Sequence, residues 1–441
     1  MRWLMLMTMA GALMGAEWKA GVAKVDITPE GPIWMAGYAA RKHPSEGVVA
    51  PLYAKALAIE DGRKGRVVFV TTDIIGYPRS VSEEIAVKVL KQYGLERGQL
   101  VLNASHTHSG PVVWPNLSEM YPLNGEQREK VEAFTRRLVG QVVELVGVAL
   151  GKMGKARVEQ DQSVATFAMH RRKQTPEGIK LAPNPGGPKD HLVPVIKVRD
   201  GKGKLEAVMF GYSCHNTTMT GEFYQLNGDY AGFAQAEIEA RRPGVTALFA
   251  TGCAGDQNPE PRSSFELAER HGKALGEAVV AVLDRKGEEL RGRIQGRYQV
   301  IELPFAPFGQ NDFEKELGST NAYARRRAEV MLKAMAERRI ARQLSYPIQA
   351  VQLGQARVVA LGGEVVVDYC LRLRRETGNP KLFVMAYSND VMCYIPTRKQ
   401  VEEGGYEARD SFIYYGQPAG LAGEAEDIVI EKTKALLGGL K

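Results

Sequence analysis

Cysteine is scarce in this chain: four residues in 441, with no two in a CxxC spacing. That excludes a disulfide-stapled scaffold, a dithiol redox motif and a cysteine-built zinc site. Cys214, Cys253, Cys370 and Cys393 each lie among apolar or small residues, the setting of buried free thiols. One or two disulfides are the alternative in an oxidising compartment. No apolar run reaches the roughly 18 uninterrupted residues that a membrane span needs. Internal repeats and low-complexity tracts are also missing, which excludes a solenoid and a long disordered region. Nucleic-acid-reading motifs are absent too. The net charge of +7 comes from 58 Lys+Arg against 51 Asp+Glu, scattered along the chain. Its densest clusters, at 325–327 and 372–375, read as solvated helix faces, so no nucleic-acid partner is expected.

What is present is an ordinary globular balance, 44% hydrophobic and 25% charged, with 47 glycines and 22 prolines that suggest many turns between strands. The N-terminus, MRWLMLMTMAGALMGAEWKAG, has one Arg, an apolar run and then small residues before Glu17. It reads as a secretory signal peptide over residues 1–16, so residues 17–441 are expected as one exported domain.

Along that domain, strand-like runs cover 21–28, 53–62, 66–73 and 99–105, with a helix over 80–94 between the last two. A long helix follows over about 126–150. Strands near 156–169, 193–199 and 205–213 flank a Gly/Pro-rich loop at 175–190. Beyond them come a helix, a strand at 245–252 and another helix, then a strand at 295–304 and an amphipathic helix over 317–339. Strands at 346–353, 356–361 and 381–387 and helices from about 364 and 420 complete the pass. This alternation predicts the α/β class: a mixed, largely parallel sheet flanked by helices, with polar strand ends gathered where such folds bind ligands.

Only seven histidines serve the chain, and two stand together in NASHTHSGP, as His106 and His108. In an extended strand end, side chains two apart share a face. Alone, the pair fits two hydrogen-bonded loop histidines as well as it fits a metal site. His215 in GYSCHNTT and Glu364 in ALGGEVV occupy the same kind of position, the polar end of an apolar strand, although Glu364 would also serve to cap a helix. Zinc sites of His and carboxylate ligands need such convergence from several strands.

SHTHSGP resembles the THTHSGP element of the neutral, non-lysosomal ceramidases, zinc amidases that split the N-acyl bond of ceramide. GVAKVDITP, MAGY, VVFVTTD, TGCAGDQNP, GGEVVVDYCLRLR and YIPTRKQVEEGGYEA are similar to further elements of that family, in the same order from about 21 to 415. The family's immunoglobulin-like C-terminal domain is not expected within this chain.

The resemblance implies zinc (Zn2+) held by His106, His215, Glu364 and Tyr394, with zinc-activated water attacking an amide carbonyl. It also implies His108 either behind the metal ligands or facing the substrate, where it could pass a proton to the departing amine, Arg171 as the pocket arginine, ahead of Arg172 one register away, and Tyr406 as an active-site tyrosine. Where the family pattern GDxSPN has Ser, this chain has Asn258, and Glu260 stands at the following Asn. A serine nucleophile is therefore ruled out at that position, while an amide still serves as a hydrogen-bonding group. The implied partner is an N-acyl lipid, ceramide or a relative, met by peripheral contact with membrane lipid. Another acyl amide, an ester, a sugar-derived substrate and a non-catalytic role remain alternatives.

Overall fold

The computed structural model describes residues 17–440; the expected signal peptide lies outside them. Strands β1 (Trp18–Asp26), β2 (Tyr53–Glu60), β3 (Arg66–Thr72), β4 (Leu100–Ala104), β5 (Gly154–Val164), β6 (Leu192–Asp200), β7 (Leu205–Tyr212) and β8 (Thr246–Thr251) form one sheet. Their order is β8-β7-β6-β5-β1-β2-β3-β4, with Glu288–Glu289 added beside β5. A second sheet runs β9 (Ile294–Pro304), β10 (Gln343–Leu353), β11 (Ala356–Leu361) and β12 (Phe383–Met385). The α-helices among the described residues are α1 (Arg79–Tyr93), α2 (Gly125–Gly151), α3 (Asp229–Arg241), α4 (Phe265–Leu283), α5 (Gln310–Leu317), α6 (Ala322–Ala336), α7 (Asp368–Thr377), α8 (Arg398–Glu403) and α9 (Ala425–Gly438).

The period-two alternation of the strands builds the layers. Leu57, Ile59, Val67, Phe69, Met209 and Leu248 on one face of the large sheet pack with Val351, Val358, Phe383 and Met385 of the small one. On the opposite face, Ala56, Val68 and Leu102 meet α1 and α2, while Phe210 and Phe249 meet α3 and α4. Beyond the small sheet, Ile348, Val359 and Val384 meet α7 and α9. Because both faces of both sheets are covered, the central strands are apolar on both sides.

The α/β class and the mixed sheet flanked by helices are as expected, but the balance within the sheet is not. In the large sheet β5–β1, β1–β2, β2–β3, β5–β6 and β6–β7 are antiparallel, and only β3–β4 and β7–β8 are parallel. Short turns at 61–65 and 201–204 leave no room for a crossover, so they can only make hairpins. Crossovers occur three times: α1 joins β3 to β4, α3 joins β7 to β8, and α7 joins β11 to its parallel neighbour β12.

The expected helix over 317–339 is shorter, α6 over Ala322–Ala336, and a separate short helix, α5, precedes it. Gly318 ends α5, and the Asn321 side chain caps α6 by accepting the Tyr323 N–H at 2.9 Å. The loop at 175–190 begins within a small hairpin, Arg172–Thr175 with Gly178–Leu181. All four cysteines are free and buried, as their surroundings suggested. No described helix is long and apolar enough to cross a membrane.

Arg79 at the start of α1 donates from Nε to Asp390 at 3.2 Å. Burial nevertheless pushes the Asp390 carboxyl up to about 7, Arg79 only partly opposing it. A raised folded-state pKa contributes stability that is full below the unfolded value of 3.8 and lost as pH rises through about 7. Wild-type unfolding free energy is therefore expected to lose about 2–3 kcal/mol from this group between pH 5 and pH 8. Urea unfolding of Asp390→Asn at both pH values checks this; an unchanged pH dependence would contradict it.

Candidate metal centre

The three parallel strand pairs present their carboxyl ends at one place. Curl of the large sheet brings its edge strands β8 and β4 together, where the Thr251 N–H donates to the Asn103 side chain at 3.0 Å and the Thr251 hydroxyl to the Ala104 carbonyl at 2.9 Å. The chain after β12 closes the seam: Ala386 N–H reaches Thr251 and Ala104 N–H reaches Tyr387. His106 and His108 thus arrive after β4, His215 after β7, Glu364 after β11 and Tyr387 after β12.

His106 and His108 converge, but not through the extended backbone expected of them. The strand stops at Ala104, and His106 is left-handed, with φ +59°. Its N–H is fixed on the Ile74 carbonyl at 3.0 Å, and this turn brings the two Nε2 atoms to 3.2 Å. Nor does Glu364 cap a helix, since α7 starts at Asp368; Glu364 instead forms a two-residue parallel bridge with Tyr394.

Glu364 Oε2 lies 3.1 Å from His106 Nε2 and 2.9 Å from His215 Nε2, with all three residues buried. His106 Nδ1 contacts the Ile75 carbonyl at 2.6 Å, and His215 Nδ1 the Ala254 carbonyl at 2.6 Å. A carbonyl only accepts, so each Nδ1 carries the ring proton and leaves Nε2 as a lone pair in the neutral imidazole. Burial, helped by Arg171, lowers His215 to about 4, so it is neutral. Burial alone would raise the Glu364 carboxyl, but His106 and His215 hold it well below the usual range.

With Nδ1 committed to a carbonyl in each ring, the two Nε2 atoms face one carboxylate oxygen at hydrogen-bond distance; without an ion a proton on Nε2 bridges such a contact, and a shared cation can take that proton's place. In a tetrahedral site with bonds near 2.0 Å, neighbouring ligand atoms are about 3.3 Å apart, close to the spacing seen. His106, His108 and His215 together form a group able to hold a metal ion, their nitrogens all within 4.8 Å of one another.

His108, expected behind the ligands or on the substrate side, is thus also within reach of an ion. Its Nδ1 is buried without a hydrogen-bond partner, and burial followed by the neighbouring imidazoles drives its pKa well below the usual value. Gly37, at φ +92°, backs this ring: a Cβ there would stand 2.3 Å from His108 Nδ1. Gly37→Ala is accordingly expected to displace the ring and lower turnover by about 10- to 100-fold. Steady-state kinetics beside a thermal melt check this, and wild-type turnover in a folded variant would contradict it.

Tyr394 places its hydroxyl 3.3 Å from His215 Nε2 and accepts a bond from Arg171 at 3.0 Å. Burial and then Glu364 push its phenol well above the ordinary value, with Arg171 opposing. Arg171 is itself buried: Nε donates to Glu407 at 2.8 Å and Nη1 to Asn258 Oδ1 at 3.1 Å. Arg172, in the adjacent register, instead binds the other Glu407 oxygen and Glu403. Asn258 Oδ1 also accepts from Thr217 at 3.3 Å. The Tyr406 ring lies 5.5 Å from that of Tyr394. A cavity of about 390 Å³ opens beside these groups, lined by His108, Arg171, Asn258, Tyr394 and Tyr406. A larger depression of about 740 Å³ around Trp18 and Arg291 contains none of them.

Sequence reasoning missed several neighbours. Tyr415 donates to Glu364 Oε1, and Tyr387 donates to Oε2 at 3.4 Å. Fully buried Glu407 anchors both arginines, and fully buried Asp256 accepts from the Val367 N–H and Gln400. Glu407 and Asp256 stand within YEA and GDQNP, so their motifs were visible; nothing local marks Tyr387 or Tyr415.

A sequence profile of the N-terminal region of the neutral/alkaline non-lysosomal ceramidases matches residues 18–265. The neutral ceramidase of Pseudomonas aeruginosa is 24% identical over 328 residues, 69% of this chain and 48% of that protein. That of Drosophila melanogaster is 32% identical over 104 residues, 22% of this chain and 14% of its own. The chain thus spans about half the length or less of these curated relatives. The crystal structure of the P. aeruginosa neutral ceramidase superposes with a TM-score of 0.75 at 20% identity, over 96% of this chain and 74% of that one. A ceramidase complexed with C2 gives a TM-score of 0.74 at 18% identity, over 96% and 75%.

Proposed function

The chain belongs to the neutral/alkaline non-lysosomal ceramidase family, and from that membership we propose that it is a zinc-dependent amidohydrolase cleaving the N-acyl bond of ceramide or a related N-acyl lipid. The observation that carries this reading is the convergence of His106 and His215 Nε2 on one Glu364 oxygen while both Nδ1 atoms are committed to carbonyls. His106, His215 and Glu364 hold the ion, and Tyr394 completes the set. Zinc, when bound, supplies a Lewis acid and lowers the pKa of water towards 7.

The remaining work belongs to the protein. Arg171, fixed by Glu407, directs its guanidinium at Tyr394 and Asn258 and is placed to stabilise negative charge on the carbonyl oxygen as the bond breaks, with Tyr406 beside it. Asn258 orients Arg171 and offers its amide to the substrate. His108 lines the cavity and, neutral at rest, takes a proton from the attacking water and passes it to the departing amine. The absence of a serine at 258 agrees with attack by water in place of an acyl-enzyme route.

A fluorogenic ceramide, assayed beside simple acyl amides and esters with and without chelator, tests this function. Chelator-sensitive amide cleavage is expected; cleavage of esters alone, or of nothing, would overturn it. Export, with residues 1–16 removed and 17–441 acting as one catalytic domain, belongs to the same reading and rests on the apolar N-terminal run. N-terminal sequencing of the exported protein checks it: Glu17 first supports cleavage, Met1 first refutes it.

A further inference from the structure

The wall of the 390 Å³ cavity carries two opposite charges that nothing in the mechanism uses. Glu260 and Arg262 both line it, together with His108 and Asn258. Arg262 donates to the Tyr38 hydroxyl at 3.3 Å, and the Tyr38 ring lies 4.8 Å from the His108 ring. Arg262 Nε is buried without a hydrogen-bond partner. No carboxylate stands within salt-bridge distance of Arg262 among the described residues, and no cation stands so near Glu260. Asp229, whose field reaches Arg262, is fully buried and gives its oxygens to the Met219 and Tyr230 N–H groups.

Other charges beside the reacting groups have partners: Arg171 pairs with Glu407, and Asp256 lies 3.3 Å from His170. The apolar part of the lining is Met169, Leu181, Ala182 and Pro183, with Leu181 half exposed. The lining thus offers apolar side chains suited to a single acyl chain together with a guanidinium and a carboxylate two residues apart.

We propose that the preferred substrate is an N-acyl α-amino acid, with its acyl chain along the 181–183 wall and its carboxylate on Arg262. This rests on the amidase reading above and names the amine half of that substrate. A guanidinium fork with free N–H groups matches a carboxylate, and the bond is strengthened where water is excluded. Hydrolysis breaks the C–N bond and forms a C–O bond from water; the acyl group leaves as a carboxylate and the amine takes the proton. The amino acid released is then a zwitterion, its ammonium facing Glu260 while its carboxylate remains on Arg262.

The zinc-loaded full chain tests this with N-palmitoylglycine against N-palmitoylethanolamine, in which a neutral hydroxymethyl group replaces the carboxylate. A kcat/KM ratio of at least about tenfold in favour of the glycine conjugate is expected in the wild type, falling towards unity in Arg262→Gln and partly kept in Arg262→Lys. Cleavage of the ethanolamide at an equal or higher rate by the wild type would overturn the inference while leaving the amidase reading intact. Cleavage of neither amide would overturn the inference, and a ceramide assayed beside them then decides the amidase reading separately: its cleavage keeps that reading, its survival sinks both. The wild-type ratio decides the matter even if Arg262→Gln fails to fold.

Discussion

Replacing His106 by alanine is expected to take bound zinc from about one ion per chain to near zero and to lower amide hydrolysis by more than about 10³-fold. The side chain is 1% exposed, and its Nδ1 contact with Ile75 is its only bond to backbone, so the remaining shell keeps its shape when the ring is removed. What the variant loses is one of two imidazoles that share a Glu364 oxygen. His215, Glu364 and Tyr394 remain, but burial holds the Tyr394 phenol well above its ordinary pKa, so only two strong ligands are left where zinc sites need at least three from protein. Elemental analysis paired with near-UV circular dichroism separates loss of metal from loss of fold. A folded variant that retained a full zinc ion would place the ion elsewhere.

The second large effect concerns Arg171. Glu407 is fully buried, and its two oxygens are divided between Arg171 and Arg172, each at 2.8 Å. Arg171→Met leaves that carboxylate half compensated, and removing one partner of a buried pair costs about 3–5 kcal/mol. The same change removes the donor to Tyr394 and Asn258, for which a further loss of about 10²–10³-fold in kcat is expected. Arg171→Lys separates the two consequences. A lysine restores the charge, and with it most of the stability, but one ammonium cannot reach Glu407, Asn258 and Tyr394 together as the fork does. Urea unfolding and kcat measured on both variants check this; equal activity in wild type and Arg171→Lys would remove Arg171 from the reaction.

Strand ends were where the sequence was most informative. Apolar runs that stop at polar residues marked β4, β7 and β11, and so put His106, His215 and Glu364 at comparable positions before any tertiary contact was known. Strand direction was legible but not read: the turns at 61–65 and 201–204 are short and open on Asp61-Gly62 and Asp200-Gly201, the mark of a hairpin, yet the sheet was expected to be more parallel than it is. The parallel pairs that do exist nonetheless matter most, since each delivers its carboxyl ends to the site.

Residues that act through long-range packing were invisible. Tyr387 and Tyr415 reach Glu364 only because the seam between β4 and β8 is closed by the chain after β12 and because the segment following α8 folds back. Glu407 sat inside a motif, but its pairing with two arginines more than 230 residues earlier depends on the fold. His106 shows the same limit in miniature. Its role followed from its neighbours, whereas its left-handed backbone was the opposite of the extended run that suggested it.

The most direct test of the central claim is hydrolysis of an N-acylsphingosine by the purified chain before and after exhaustive chelation, with metal content measured in the same samples. Activity is predicted to fall to background as zinc is stripped and to return on addition of one equivalent of zinc. Full activity in samples holding less than about a tenth of an ion per chain would contradict a metal-dependent amidase built on His106, His215 and Glu364.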